Sequence, residues 1–254
     1  MIEDGLNRVS ECFFEFINLI MKFAPLGAFG SVAYAVGSNG SAVLMSLANL
    51  VLMFYVAVAF FLFVVLGAVC RLSGFSFLRF LAYIKDEIFI VLGTASSESA
   101  LPRLLQKLER FGCSKQSVGL VLPTGYAFNL DGTSLYMSLS VLFIANAYGV
   151  PLGWEQQLGI LAIMLVTSKG AAAVSGGSFV VFAATVTAIG VLPVEGLALL
   201  FGVYRFMSMA MAACNTIGNS VATVVVAKWA GEFTEQNARD EYARVLGRAP
   251  GAVL

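Results

Sequence analysis

Residues 43–69, VLMSLANLVLMFYVAVAFFLFVVLGAV, form an internal run without a charged side chain. An α-helix needs about 20 apolar residues to cross a hydrocarbon core of ~30 Å, so this run is long enough to span a membrane. A signal peptide has a shorter apolar region, close to the N-terminus. The whole chain is 59% hydrophobic and 12% charged, whereas a soluble domain is about a quarter charged. The sequence therefore predicts a membrane protein.

The remaining composition excludes several function classes. Lys plus Arg and Asp plus Glu number 15 each, so no excess positive charge attracts a nucleic acid. Histidine is absent, which excludes catalytic triads with a histidine base. An intramembrane aspartyl protease needs two partnered carboxylates, and Asp131 has no second one in an apolar segment suited to partner it. The four cysteines form no CxxC pair and predict neither a disulfide nor a zinc site. We therefore expect no enzyme, no cofactor and no nucleic-acid partner.

The distribution of basic residues predicts how the apolar segments are arranged. These segments lie at 13–36, 43–69, 88–102, 117–147, 157–189 and 196–229. Lys and Arg flank the 88–102 segment on both sides and recur in the C-terminal tail, whereas the connections at 37–42, 148–156 and 190–195 have none. Basic connections stay in the cytoplasm. We therefore expect the C-terminus to be cytoplasmic.

Two of the apolar segments are predicted to enter and leave the bilayer on the same side. The segment 88–102 is too short to span, and the segment 157–189 has only acidic or uncharged connections. Their centres read GTASSESALP (93–102) and TSKGAAAVSGGS (167–178). Irregular backbone at membrane depth is tolerated where protein or a water-filled cavity covers it, and paired interruptions are typical of transporters. The alternative is that small residues only permit close helix packing.

The predicted fold is an all-α membrane protein with two opposed re-entrant helical hairpins. Its parts are a first membrane helix and connection (1–42), a transmembrane helix (43–70), a cytoplasmic-side hairpin (71–116), an unwound transmembrane helix (117–150), an external-side hairpin (151–192), a last transmembrane helix (193–230) and a cytoplasmic tail (231–254). The tail has mixed charge, and a solvated tail is the favoured interpretation.

The stretch GYAFNLDGTSLY (125–136) interrupts the fourth apolar segment with polar residues. A charge near the middle of a crossing costs at least about 2.5–3.5 kcal/mol, so Asp131 needs a partner or a function. Gly125 and Gly132 weaken the helix on either side. An unwound turn here would supply backbone carbonyls, which with Asn129 and Asp131 form an all-oxygen cation site. The alternative is an ion pair of Asp131 with an intramembrane Lys169 or Arg205.

The last crossing, CNTIGNSVATVVVAKW (214–229), carries a second polar set. Asn215 and Asn219 are four residues apart and therefore share one helix face. Thr216 and Thr223 add hydroxyl groups. The alternative role for these asparagines is hydrogen bonding between helices.

Five stretches together resemble the dicarboxylate/amino acid:cation symporter family, and its bacterial C4-dicarboxylate branch in particular. They are APLGAFG, SSESALPRLL, PTGYAFNLDGTSLY, SKGAAAVSGGSF and NTIGNSVATVVVAKW. The resemblance implies a mobile transport core of two hairpins and two flanking helices, which moves like an elevator against a homotrimeric scaffold. It implies symport of a C4-dicarboxylate such as succinate, fumarate or malate across the lipid bilayer of the bacterial inner (plasma) membrane.

The resemblance also implies site residues. Those expected to bind substrate are Ser96, Ser97, Thr133, Val174, Ser178, Ser208, Met211 and Asn215. Those expected to bind the coupling cation are Gly125, Asn129, Asp131, Asn215 and Asn219. The expected coupling cation is Na⁺ or H⁺. Some relatives have a cation-binding Asp where this chain has the neutral Asn219, so coupling to protons through the remaining carboxylates is an alternative to coupling to sodium. No other metal is expected.

Several residues depart from the pattern of the C4-dicarboxylate branch. Met211 replaces the Arg that is expected to bind a substrate carboxylate, and Tyr204 and Met209 replace acidic residues. A guanidinium binds a carboxylate through two parallel hydrogen bonds, which a thioether cannot form. The family also has further scaffold helices before the equivalent of residue 13. A truncated or degenerate membrane protein with a binding or regulatory role is therefore the alternative function.

Overall fold

The computed structural model describes Leu19 and residues 22–171 and 176–247. In chain order, the helices and short helical turns are α1 (Ala24–Asn39), α2 (Ala42–Phe60), a π-helical turn (Phe61–Leu66), α3 (Gly67–Leu72), α4 (Phe77–Tyr83), α5 (Lys85–Thr94), a 3-10 turn (Ser97–Ala100), α6 (Leu101–Arg110), α7 (Lys115–Phe128), α8 (Asp131–Ala147), α9 (Trp154–Thr167), a 3-10 turn (Ser168–Gly170), α10 (Gly177–Ile189), α11 (Gly196–Trp229) and α12 (Glu235–Leu246). The prediction of an all-α chain is confirmed.

Among the residues that the structure describes, two helices are long and apolar enough to cross a membrane. One is the continuous 31-residue helix Ala42–Leu72, which contains the charge-free run, and the other is the 34-residue α11. All backbone hydrogen bonds of a helix lie within the segment, which is why helices suit a hydrocarbon environment. Large apolar side chains on the first helix, among them Leu52 and Phe60, are mostly exposed on the surface of this chain. Such a surface is suited to lipid or to further protein.

The central element of the fold is α11. It packs against α1, α2, α5, α7 and α8, and most of its residues from Met207 to Val225 are buried. Small residues on this stretch let the neighbouring helices approach closely. The polar side chains of Asn215 and Asn219 are therefore enclosed by other helices, where they require hydrogen-bond partners.

Helices α5 and α6, with the connection between them, form the first hairpin (residues 85–110). Both helices extend beyond the predicted apolar segment 88–102. Charged residues enter the buried helix ends because they pair, since Lys107 Nζ lies 2.6 Å from Glu87 Oε2. Helix α5 ends at Thr94. The next residue, Ala95, has a φ of 52° in the left-handed region, a conformation common just after a helix end.

Helices α9 and α10 pack against each other and form the second hairpin (residues 154–189). Residues 172–175, between its two helices, lie outside the described residues. The predicted substrate residue Val174 is among them. The second helix begins after Gly176, which has a φ of 91°.

The C-terminal segment differs from the predicted solvated tail, because α12 packs against α4 and α6. Ala238 is fully buried, and the ring of Tyr242 lies 5.1 Å from that of Phe111. Before α12, the backbone of Thr234 donates to the Gly112 carbonyl at 2.8 Å. Apolar residues at helical spacing among the charges produce this buried face, so the mixed charge covers only the outer side of α12.

Candidate functional site

The fourth apolar segment contains the helix break that the sequence predicts. Helix α7 ends at Phe128, and Asn129 and Leu130 have ψ values of 73° and 72°, outside the helical range. The last hydrogen bond of α7 runs from Asn129 N to Gly125 O at 2.7 Å. The next runs from Ser134 N to Leu130 O at 3.0 Å. The crossing is therefore made of two helices, α7 and α8, joined by two non-helical residues.

The break frees backbone oxygens close to a carboxylate. Within the described part of the chain, no backbone N–H donates to the carbonyls of residues 126–128. The described residues also contain no cluster of three or more Cys, Asp and Glu side chains placed to hold a metal. An ion site here would therefore be built from carbonyl and amide oxygens together with Asp131, a ligand set that suits a hard cation such as Na⁺.

Three of the predicted cation residues are joined through the side chain of Asn129. Its Nδ2 lies 3.0 Å from Asn219 Oδ1 and 3.4 Å from Asp131 Oδ2. Asn219 is 1% exposed, and its own Nδ2 has no hydrogen-bond partner among the described residues. Two side-chain oxygens thus converge on one donor group. Rotation of the Asn129 amide would add a third oxygen at the same point.

Gly125 makes this convergence sterically feasible. A Cβ atom at this position would lie 2.5 Å from Asn219 Oδ1 and 2.8 Å from Asn219 Cγ. These distances are far below van der Waals contact, so only glycine lets the asparagine approach the backbone of α7. This explains the position of Gly125 in physical terms without a direct ligand role.

A second network joins α8, α10 and α11. Asn215 Oδ1 accepts a hydrogen bond from Gly132 N at 2.7 Å, and Asn215 Nδ2 donates to Thr133 Oγ1 at 3.2 Å. Thr133 Oγ1 lies 3.3 Å from Ser178 Oγ. Thr133, Ser178 and Asn215 are all buried. The structure therefore brings three of the predicted substrate residues together and connects them to the start of α8.

Met211 lies on α11 next to this network. A Cβ atom at Gly132 would lie 2.5 Å from Met211 O and 2.9 Å from Met211 Cα, so α8 and α11 are in backbone contact here. The Met211 side chain is 5% exposed and belongs to the apolar core. A long cationic side chain at this position would need polar partners that a thioether does not need.

The serines of the first hairpin are oriented by α11. Ser97 is buried, and its Oγ donates to Ala212 O at 3.0 Å. The backbone N–H of Ser96 donates to Thr94 Oγ1 at 3.3 Å. Ser208 is also buried, with its Oγ donating to Arg205 O at 2.8 Å. Each of these three hydrogen bonds is therefore made to another group of the protein. None of the three connects Ser208 to the network of Thr133, Ser178 and Asn215.

Arg205 does not form the ion pair with Asp131 that the sequence left open as an alternative. Its guanidinium donates to the carbonyls of Gly93 and Thr94. Lys169 lies exposed on the 3-10 turn of the second hairpin, where its charge attracts the Asp131 carboxylate without a direct salt bridge. Asp131 instead receives its side-chain hydrogen bond from Asn129.

Sequence reasoning missed one contact between the broken crossing and the second hairpin. Ser134 Oγ lies 3.1 Å from Ser168 Oγ, and Ser168 is fully buried. Both serines follow a motif residue directly, Ser134 after Thr133 and Ser168 after Thr167. Their position inside two polar stretches was the available signal, but nothing in either stretch indicates that they face each other.

The fold and these polar networks define a helical membrane protein with an internal oxygen-rich site. The model of the Sodium:dicarboxylate symporter family matches residues 1–229, and the chain belongs to this family of transporters. The resemblance seen in the motifs is thus confirmed, and the family is one of transporters rather than enzymes.

Individual relatives are similar over most of the chain. C4-dicarboxylate transport protein 2 of Pseudomonas aeruginosa is 51% identical over 238 residues, which cover 94% of this chain and 55% of the relative. The C4-dicarboxylate transport protein of Aeromonas salmonicida is 51% identical over 243 residues, 96% of this chain and 57% of the relative. That of Verminephrobacter eiseniae is 52% identical over 236 residues, with 93% and 54% covered. The chain spans about half the length of the curated relatives it matches.

Proposed function

We propose that this chain is the transport core of a secondary active transporter that carries C4-dicarboxylates together with Na⁺ or H⁺. The observation that carries the proposal is the meeting of the helix break with two asparagines of α11, at Asn129–Asn219 and at Gly132–Asn215. Family membership and the names of the relatives support the dicarboxylate as substrate.

The cation site of the proposal consists of Gly125, Asn129, Asp131, Asn215 and Asn219. The Asp131 carboxylate supplies the negative charge that a monovalent cation or a proton neutralises in a medium of low dielectric constant. The carbonyls freed by the break and the amide oxygens complete an oxygen ligand set. A bound cation would draw Asn129 and Asn219 together and so fix α7 against α11.

The substrate site of the proposal lies beside the cation site. Hydroxyl groups of Ser97, Thr133 and Ser178 and the amide of Asn215 are donors for substrate carboxylates, with Ser96, Val174, Ser208 and Met211 as further contacts. Asn215 belongs to both sites, because its Oδ1 binds the first turn of α8 and its Nδ2 binds Thr133. Ordering of that turn by a cation would position Thr133. This shared residue is the proposed physical link between cation and substrate binding.

The proposal extends to topology and assembly. The two hairpins enter the membrane from opposite faces, and they move with α7, α8 and α11 like an elevator against a homotrimeric scaffold. The protein lies in the bacterial inner membrane with α12 on the cytoplasmic side. Support comes from the distribution of basic residues along the sequence and from the family resemblance.

A non-transporting membrane protein with a binding or regulatory role is the second candidate. The observation that favours it is the buried, apolar side chain of Met211 at the position where the resemblance implies an Arg. Removing one partner of a desolvated charge pair costs about 2–5 kcal/mol, or about 30- to 4,000-fold in affinity.

Calorimetric titration with succinate distinguishes the two candidates. The detergent-purified native chain and its Met211→Arg variant are titrated at two pH values, in sodium chloride and in choline chloride. Micromolar binding by the native chain that depends on sodium or on pH supports the transporter. Binding by Met211→Arg alone supports the second candidate, with an intact fold. If neither protein binds under any condition, the proposed dicarboxylate site is wrong.

A further inference from the structure

Arg205 is the only charged residue between Gly196 and Ala227, a stretch of α11 that is otherwise apolar or uncharged. A charged side chain within a membrane helix is costly and calls for polar partners. The guanidinium finds them 111 and 112 residues away, where Nη1 lies 3.4 Å from Thr94 O and Nη2 lies 3.1 Å from Gly93 O. Both carbonyls belong to the last turn of α5.

The end of α5 has a physical need for such a donor. The last carbonyls of a helix have no partner within the helix, and they carry the negative end of the helix dipole. The chain turns away at once because Ala95 adopts the left-handed conformation. A guanidinium with several N–H groups in one plane bonds two adjacent carbonyls and neutralises the dipole there. The contact therefore satisfies the arginine and the helix end together.

The segment that follows is internally bonded and reaches α11 a second time. We call residues 93–100 the first tip. Thr94 Oγ1 lies 2.9 Å from Ser99 Oγ, and Ser99 Oγ donates to Ser96 O at 2.7 Å. Ser97 Oγ donates to Ala212 O at 3.0 Å. Arg205 and Ala212 are about two helical turns apart, so α11 holds the first tip at two separate points.

We propose that Arg205 is a positioning residue that fixes the first tip on α11 and thereby sets the orientation of Ser96 and Ser97. Only its relevance to substrate rests on the proposed function, because Ser96 and Ser97 are there assigned to the dicarboxylate. Without the guanidinium, the carbonyls of Gly93 and Thr94 lose these two donors. Of the hydrogen bonds described above, that of Ser97 then remains between the tip and α11. The tip is then expected to open more often while the rest of the fold persists.

Hydrogen–deuterium exchange of the purified full chain tests the positioning role. Arg205→Gln is expected to speed exchange in residues 93–100 by about tenfold, since hydrogen bonds to a charged group are lost. Arg205→Lys keeps the charge and should restore part of the protection. Arg239→Gln, a change at an exposed arginine of α12, is the control and should leave the tip unchanged. Peptides from α8 report whether the fold is intact.

The proposal would be overturned if residues 93–100 exchanged at the native rate in Arg205→Gln. It would also be overturned if exchange were accelerated equally in all helices of both Arg205 variants. Succinate titration of the same proteins addresses the substrate. A fall in affinity for Arg205→Gln, partly restored in Arg205→Lys, is expected, whereas faster tip exchange with unchanged succinate affinity would refute the link to Ser96 and Ser97. Absence of succinate binding in every protein counts against the proposed function alone, because the exchange result does not depend on substrate.

Discussion

Asn129 Nδ2 lies 3.0 Å from Asn219 Oδ1, although 90 positions separate the two residues in the chain. One belongs to the helix break and the other to the buried face of α11. Neither asparagine would be stable at this depth without a polar partner. The contact therefore explains why two distant apolar segments each carry polar residues, and it defines the centre of the proposed cation site.

Gly125→Ala is expected to disrupt this contact. The new methyl group would overlap Asn219 Oδ1 and Cγ, and overpacking of this kind costs about 1–3 kcal/mol. Gly119→Ala is the matched control, because it lies on the same helix with no atom within 4 Å of the added Cβ. It should be neutral or stabilising by up to about 1 kcal/mol, owing to the better helix propensity of alanine.

Thermal unfolding in detergent, with and without sodium, measures both substitutions. A lower Tm and a smaller effect of sodium on Tm are expected for Gly125→Ala only. Equal Tm values and equal sodium responses in Gly125→Ala and Gly119→Ala would show that the close approach of Asn219 is unimportant.

The sequence predicted the helix break and the shared face of the two asparagines because these signals are local. Gly125 and Gly132 marked the break, and the spacing of Asn215 and Asn219 placed both on one face of a helix. Only the pairing of partners remained open. The sequence offered Arg205 or Lys169 as an ion-pair partner of Asp131, whereas the side-chain hydrogen bond to Asp131 in the structure comes from Asn129. Partner choice depends on how helices are rotated against each other, which no local pattern encodes.

Tyr242→Ala is expected to detach α12 from the residues that flank the first hairpin. The Tyr242 ring is 8% exposed and packs against Phe111 and Tyr83. Removing a buried aromatic ring costs about 3 kcal/mol or more. Limited proteolysis within α12 should accelerate strongly, while Val245→Ala, at a partly exposed position on the same helix, should change it little. Equal cleavage rates for native chain and Tyr242→Ala would contradict the docked position of α12.

The junction between α11 and α12 is expected to weaken in acid. Hydrogen bonds from Ser114 and Ser117 lower the pKa of the Glu232 carboxyl below its ordinary value. A carboxyl with a lowered folded-state pKa stabilises the fold above its unfolded pKa of about 4.3. This contribution disappears as the pH falls through the folded-state pKa. Thermal stability should therefore decline below about pH 4.3.

Glu232→Gln isolates this effect. It should lower stability near pH 7 and reduce the acid-induced decline, because the glutamine does not titrate. Glu155→Gln, at an exposed residue of α9, should keep the native profile. Parallel pH profiles for native chain and Glu232→Gln would mean that the two serine contacts do not contribute to stability.

The features that the sequence did not predict all depend on contacts between distant segments. Apolar length limited the apolar segment of the first hairpin to 88–102, and the sequence did not show that Glu87 pairs with Lys107 where the helices continue into charged sequence. Likewise, the mixed charge of the C-terminal segment predicted solvation, although one face of α12 is buried. The contact of Arg205 with the end of α5 joins two segments whose sequences carry no shared signal.

The proposed cation site is tested most directly by comparing cation binding in three proteins. They are the native chain, Asp131→Asn and, as a control at an exposed position, Asp240→Asn. Thermal stability is measured while sodium chloride replaces choline chloride at two pH values above the acid range in which Glu232 titrates, since a ligand that binds only the folded state raises its stability. The account predicts that sodium or acidification stabilises the native chain and Asp240→Asn equally, and that Asp131→Asn responds to neither. A response of Asp131→Asn equal to that of the native chain would contradict a cation site at Asn129, Asp131 and Asn219.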